Sequence, residues 1–536
     1  MAWMCVCAVL LAAYVFPTFA PTLEHDSFQY LSVAENALQG RLGYTSTLHF
    51  DAERSFGAIP APLVTFPMGY PLGIALLSLT GISFPAAGAL LSAVATIACV
   101  PLLMWITARF GLSRLLRSVV VACFVFNGVV IQFGTTVMTD ALFSFMVLGG
   151  VALLCAARLP EGGVSGSRSL WIASGLAFGA AYFVRYSGLF FVIALALLVA
   201  WHVVASNRTL AAGYATALAA AACSVMVGVV RNMWLIGNWR GRDEMAVNAT
   251  IPWVIGRTGQ GANVVFLGPG TGTPGGALLP KALLALILLA GLAWLIVGYV
   301  RRRSLVQSAS APTRGAGADL CVLAMTYLGC MAYAGLTSSI SYGIPRNFLP
   351  VIPLLLLLFG LLLHSLLAAQ PVLTRSGRIL PAALLAGVCL YSYLNLMVFR
   401  LPRVDHVADV SREMDIPGPG GVSARDAIQK IVLPGKVIIA NNGQAVGYAL
   451  ARPTMSLVGP NYSSHEWNEN AIREAMRRFN AQAIVIEAPK GEVTGDGDQI
   501  PSEFVRRLAK GEAPAWMKLV HKSGDIFVYV PVPSLP

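Results

Sequence analysis

Charge is what this chain has least of. Only 12% of its 536 residues are charged, where a soluble domain carries roughly a quarter. With 56% hydrophobic residues and a mean hydropathy of +0.69, a soluble globular protein is excluded and an integral membrane protein is the class that remains. Acids are scarcer than bases, 25 against 37, for a net charge of +12. That excess is not a nucleic-acid footprint, because the basic residues sit in short loops between apolar runs, as membrane topology requires. The nine cysteines (Cys5, Cys7, Cys99, Cys123, Cys155, Cys223, Cys321, Cys330 and Cys389) lie in or beside apolar runs, with no Cx2C pair facing histidines, which argues against a thiolate zinc site. The polar tail after residue 400 has no cysteine and must fold without disulfides. The loop "GPGTGTPGGA" (Gly268–Ala277) lacks the Gly-Lys-Ser/Thr of a phosphate-binding loop and reads as a flexible outer loop. There is no internal repeat. The opening "MAWMCVCAVLLAAYVFPTFAPT" lacks the positive start of a signal peptide and reads as an uncleaved first helix.

What is present is a series of apolar runs of about 20 residues, the length that crosses a bilayer. They predict eleven helices near 3–20, 86–108, 119–137, 140–157, 169–184, 188–204, 210–230, 277–299, 320–338, 347–369 and 379–399. The run 70–80 is too short to span and reads as a half-inserted surface helix. With the N-terminus cytoplasmic, the inner loops hold Arg109, Arg114, Arg117, Arg158, Arg168, Arg208, Arg301, Arg302, Arg303, Arg314, Arg375 and Arg378 against only Glu161 and Asp319. This is the positive-inside bias. It places a multi-pass chain in the cell (inner) membrane, with the first outer loop 21–70 and the tail on the extracytoplasmic side.

The chain then divides into a membrane domain over 1–400 and a small extracytoplasmic α/β domain over 401–536. In the tail, "KVIIAN" and "AIVIEA" read as buried strands. "SSHEWNENAIREAMRRFNAQ" reads as a helix with Ser463 and Glu466 spaced as a capping box, and "WMKLVHKSGDIFVYVPV" reads as a hairpin turning at Ser523-Gly524. Trp467 could stack on a sugar and His465 or Glu466 could bind one, but an ordinary polar helix start is preferred.

The first outer loop opens with "HDSFQYLSVAENALQGRLGYT" (His25–Thr45). Tyr30, Val33, Ala34, Ala37 and Leu38 recur at helical spacing and Gly40 marks a stop. Asp26 falls at the helix N-terminus, where the dipole stabilises a carboxylate. On spacing alone it is a helix cap first and a chemical group second. Other ionisable residues change that balance. Asp140 opens the fourth helix in "TTVMTDALFSF", Arg185 ends the fifth in "AAYFVRYSGLFF", Arg231 and Asn232 end the seventh in "VGVVRNMWLIGNW", and Arg346 precedes the tenth in "SYGIPRNFLPVIP". Any one arginine is a snorkelling anchor. Gathered with two aspartates at one side of the membrane, they point to an anionic lipid head group with a carboxylate beside it.

In the order of these segments, joined by "FPMGYPLGIALLSLTG" and "FPAAGALLSAVATIACVPLLMWITARFG", the chain resembles the C-type membrane glycosyltransferases (GT-C superfamily) over about residues 1–400. More narrowly it resembles the branch that contains the protein O-mannosyltransferases and the aminoarabinose transferases that modify lipid A. The resemblance implies a polyprenyl-phosphate-linked sugar donor, a lipid, glycan or protein acceptor, and inverting transfer at the outer face. It assigns Asp26 as general base and gives the lipid phosphate to Arg185 and Arg231 first, then Arg346. Asp140 is expected to contact the sugar or orient an arginine, and Tyr30 to line the donor site. The chain departs from the pattern too. Where some relatives carry a Glu-Lys pair, this one reads "FPMGYP", so a lysine–phosphate contact or metal bridge is not carried over. His49, Asp51 and Glu53 could bind a divalent ion, though their spacing also suits a solvated loop. The "WWDYG" type motif of oligosaccharyltransferases is absent, which argues against transfer of a whole glycan to asparagine.

Two other readings compete. A secondary transporter or lipid-linked-sugar flippase would show charges near the midplane and two related halves, neither of which is seen. A membrane anchor for a binding module would not need eleven helices.

Overall fold

The computed structural model describes residues 22–49, 55, 57–158, 167–239, 250–267, 312–337, 344–369, 387, 406–418, 420–458, 466–488 and 502–532. The expected helices at 3–20, 277–299 and 379–399 lie outside these residues, as do the Gly268–Ala277 loop, Asp51, Glu53, Ser463 and His465. The chain forms two compact units. One gathers residues 89–228 and 247–402 together with 1–21, and the other gathers 22–88, 229–246 and 403–536.

The first unit is helical. Among the described residues, five helices are long and apolar enough to cross a membrane: Phe84–Arg109, Thr139–Arg158, Tyr186–Val204, Arg208–Ile236 and Gly315–Thr337. A bent pair, Arg114–Val125 and Gly128–Gly134, meets at 55° and has the length and composition of either a broken sixth span or a re-entrant loop. The sequence reading runs 119–137 as one helix. The chain instead breaks because Asn127 caps the second piece, its Oδ1 accepting from Val129 N at 3.0 Å and Val130 N at 3.2 Å. Arg168–Val184 has 17 residues. The expected helix 347–369 is divided into a 3-10 turn Pro345–Phe348 and a helix Ile352–Ala369. The count of eleven is therefore an expectation, while a multi-pass membrane protein is what the described helices show.

Small residues let two of these helices approach closely. A Cβ built on Gly175 would lie 2.1 Å from the Ala217 carbonyl oxygen, and one on Gly179 would lie 2.4 Å from Ser224 Cβ. Contact of this kind replaces the hydrophobic drive that lipid cannot supply. At the Arg158 end of the Thr139–Arg158 helix, a buried polar network ties four helices. Arg158 pairs with Asp319 Oδ2, which also accepts from Tyr214 OH at 2.5 Å. His202 Nε2 lies 3.2 Å from Asp319 Oδ1, and its ring stacks on Tyr214 with centroids 5.2 Å apart.

The second unit is built on a six-stranded sheet. Its strands are β2 (Thr47–Leu48), β4 (Ile438–Ala440), β5 (Thr454–Ser456), β6 (Ala483–Glu487), β7 (Met517–Ser523) and β8 (Ile526–Pro531), in the order β2-β5-β4-β6-β8-β7. β2, β5, β4 and β6 run parallel, and β8 and β7 are antiparallel to their neighbours. The first loop thus contributes an edge strand, Thr47 pairing with Thr454 and Leu48 with Met455. Leu48 and Ala61 share the sheet's core with Ile439, Ile484, Trp516 and Phe527. A separate two-stranded ribbon pairs β1 (Tyr44–Thr45) with β3 (Ala61–Pro62). The hairpin turns at Gly524-Asp525, one residue later than read, because Ser523 still pairs with Ile526 and Gly524 takes the positive φ of +54°. The helix in "SSHEWNEN" starts at Glu469, capped by Asn468, whose Oδ1 accepts from Ala471 N at 3.0 Å. Trp467 is core, 3% exposed, and donates to Val458 O at 2.9 Å, so it is not a sugar platform.

Candidate functional site

The expected site residues fall into two sets. Asp26, Tyr30 and Arg231 belong to the sheet-bearing unit, and Asp140, Arg185 and Arg346 to the helical one.

Asp26 sits in the first turn of the helix His25–Leu38. The N-cap is Glu24, which forms a capping box with Ser27, and Glu24 N donates to Ser27 Oγ at 2.8 Å. The cap that spacing assigned to Asp26 is therefore held by other residues, and Asp26 is half-buried in the first turn, two residues after the N-cap. Tyr30, on the same helix, is 2% exposed and packs edge-on against Phe66 and Tyr70, with centroids 5.3 Å and 5.5 Å away. Its ring is core. Arg231 reaches the first loop, Nη2 donating to Leu63 O at 2.9 Å and Nη1 to Asn232 Oδ1 at 3.2 Å. Gly43 faces it with φ +79°; a Cβ there would lie 2.7 Å from Arg231 Nη2 and 2.5 Å from Met68 Sδ. Only glycine suits both that φ and that space. Arg231 thus braces the loop that leads from the Asp26 helix.

In the helical unit, Asp140 and Arg185 form a pair that the sequence could only suggest. Asp140 lies in the first turn of Thr139–Arg158, and Arg185 is the extended residue that ends Arg168–Val184. Arg185 Nη1 donates to Asp140 Oδ1 and to Thr139 Oγ1, the latter at 3.3 Å. Arg185 Nη2 donates to Asn347 Oδ1 at 2.8 Å. Asp140 is 1% exposed and its Oδ2 has no hydrogen-bond partner among the described residues, while the Arg185 side chain keeps 20% exposure. Arg346 is half-buried in the 3-10 turn Pro345–Phe348, next to Asn347. The carboxylate offsets the cost of holding a guanidinium at this depth, and the partly exposed arginine retains donors for an anion.

Asn347 and Thr139 are the residues that sequence reasoning missed. The one available signal was a polar residue beside Arg346 at the mouth of an apolar run. For a divalent ion, only His49 of the expected trio lies among the described residues, and no cluster of three or more His, Cys, Asp or Glu occurs among them.

Residues 86–236 match the family model described as dolichyl-phosphate-mannose-protein mannosyltransferase. No curated protein matches the chain by sequence. Among solved structures the chain is similar to ArnT from Cupriavidus metallidurans in the apo state, at 13% identity and a TM-score of 0.59, over 99% of this chain and 98% of that one. It is similar to the same protein bound to undecaprenyl phosphate, again at 13% identity over 99% and 98% of the two chains, with a TM-score of 0.58. It is also similar to the archaeal oligosaccharyltransferase AglB from Archaeoglobus fulgidus, in complex with an inhibitory peptide and a dolichol-phosphate. There the identity is 11% and the TM-score 0.55, over 90% of this chain and 69% of that one. The chain has the fold of the C-type membrane glycosyltransferases. Within that fold, its segment 86–236 carries the pattern of the mannosyltransferase family.

Proposed function

We propose that this chain is an inverting glycosyltransferase that moves a sugar from a polyprenyl-phosphate donor to a lipid, polysaccharide or protein acceptor on the outer face of the membrane. The observation that carries the reading is that the Asp26 carboxylate stands in the first turn of a helix capped by Glu24 and Ser27. The helix is capped by other groups, so the role proposed for this carboxylate is chemical rather than that of a cap. In the proposed reaction the acceptor oxygen attacks the anomeric carbon from the face opposite the phosphate. The acceptor proton passes to Asp26, the bond from the anomeric carbon to the phosphate oxygen breaks, and its electron pair leaves on the polyprenyl phosphate. That leaving group needs charge stabilisation rather than a proton, which is the task given to Arg185 and Arg346. Arg231, bound to the Leu63 carbonyl, is assigned to the same phosphate through the loop it braces. Asp140 orients Arg185. The similarity to a protein solved with undecaprenyl phosphate supports a lipid phosphate as one product.

The test uses membranes containing the wild type or an equally abundant Asp26→Asn variant, supplied with radiolabelled polyprenyl-phosphate sugars. Loss of a general base costs about 10²–10⁴-fold in rate, so the wild type should release label from one donor and the variant almost none. Equal release would remove Asp26 from the chemistry and make Asp140 the next base to test. No release from any donor by the wild type would sink the reading and favour transport.

A further inference from the structure

We infer that Asn347 is a positioning residue for anion binding: it holds the Arg185 guanidinium so that its Nε–Nη2 edge is presented to a phosphate. The inference rests on the proposed function and adds to it a residue to which the sequence reading gave no role.

Arg185 has five N–H donors in one plane. Nη1 bonds Asp140 Oδ1 and Thr139 Oγ1, and Nη2 bonds Asn347 Oδ1 at 2.8 Å. Nε–H and one Nη2–H remain without a partner among the described residues. These two nitrogens share one side of the guanidinium and match two oxygens of a phosphate. A guanidinium fixed only at Nη1 would still swing about that point. The bond from Nη2 to Asn347 supplies the second anchor.

Asn347 is itself held. It is 5% exposed, and its main-chain oxygen accepts from Tyr327 OH at 2.9 Å, which pins the 3-10 turn to the helix Pro312–Thr337. The orientation of its amide follows from chemistry: a guanidinium has no acceptor, so the side-chain oxygen must face it. The choice of residue also has a reason. Asp140 already offsets the arginine's charge, and a second carboxylate at 347 would repel an incoming phosphate. A neutral amide gives the same acceptor without that repulsion.

The experiment is a double-mutant cycle on the full chain in lipid nanodiscs, with undecaprenyl phosphate as the probe and binding as the readout. Asn347→Leu keeps the size and removes the acceptor; Arg185→Met removes the guanidinium. Each single variant should weaken binding by about tenfold, and the pair should bind no more weakly than Arg185→Met alone, because Asn347 acts through the arginine. If Asn347→Leu does not fold, Asn347→Ser, too short to reach the guanidinium, takes its place in the cycle. Unchanged binding in the Asn347 variant, or single effects that multiply in the pair, would overturn the inference while the proposed function stood. A wild type that does not bind undecaprenyl phosphate would overturn both.

Discussion

The Arg158–Asp319 pair allows a sharp test of how the helical unit is held together. The two side chains are 8% and 5% exposed, so solvent screens them little. Asp319 accepts from three directions, Arg158, Tyr214 and His202. Asp319→Leu therefore takes the carboxylate from a buried guanidinium, whose Nη1 still lies 3.3 Å from the Tyr214 hydroxyl and from His202 Nε2, and removes the acceptor that Tyr214 and His202 share. Breaking a buried pair in this way costs about 3–5 kcal/mol. Arg158→Met should cost less, because Asp319 keeps Tyr214 OH as a donor and His202 beside it. The double variant removes both charges and leaves only the neutral tyrosine and the imidazole to be satisfied, at about 1–3 kcal/mol per unmet polar group. It should be more stable than Asp319→Leu alone. The assay is denaturant titration of the full chain in mixed micelles for all four proteins. Activity per folded molecule should not change, since Arg158 lies 18 residues (158 − 140) along the helix from Asp140, about 27 Å at 1.5 Å per residue. The reasoning fails if Asp319→Leu is as stable as the wild type, or if the double variant is less stable than Asp319→Leu.

Other outcomes follow from the same geometry. Ser27→Ala removes half of the capping box and should cost about 0.5–2 kcal/mol of stability while transfer survives; Asp26→Asn should abolish transfer and lose at most about 1 kcal/mol of dipole stabilisation. Parallel losses of activity and stability in both variants would mean that Asp26 acts through the fold. Gly175→Ala, whose Cβ would press on the Ala217 carbonyl, should cost about 1–3 kcal/mol, whereas Gly149→Ala, with nothing within 4 Å, should be neutral or slightly stabilising by thermal melting. Truncation at Leu401 should abolish transfer even where the helical unit still folds, because it removes β5, the partner of β2, and the core around Leu48; a truncated chain with full transfer would contradict this. Burial holds the His521 imidazole below its ordinary pKa. The unfolded chain then takes up the proton first, so the stabilising contribution is whole above about pH 6.5 and is lost as pH falls from there toward the lowered value. Melting of wild type and His521→Leu between pH 8 and pH 5 should show the steeper fall in the wild type.

The parts of this fold that were legible in the sequence are those set by composition over many residues. The helix at 140–157 is found at Thr139–Arg158, and that at 86–108 at Phe84–Arg109, because a bilayer demands long apolar runs and little else resembles one. What depends on one side chain was lost in that averaging. The Asn-Gly at 127–128 is only two residues in a long apolar run, too few to bring the run's average hydropathy down to that of a loop, so the run read as one helix. Glu24 is a poor cap by type, and spacing alone favoured Asp26; the reciprocal bond with Ser27 decides otherwise. β2 is two residues long and pairs with a strand some four hundred positions later (454 − 47), so no local period could reveal it. The ionisable residues are the instructive middle case. Asp140 and Arg185 were recognisable as costly at membrane depth and as lying at the same end of successive helices, which is why they could be expected to meet. Asn347 carries no charge and incurs no such cost until it is buried, so its place beside Arg346 was a faint mark that gave it no role. Charge at membrane depth announces a site from sequence, whereas the neutral groups that aim the charge become visible only once the helices are packed.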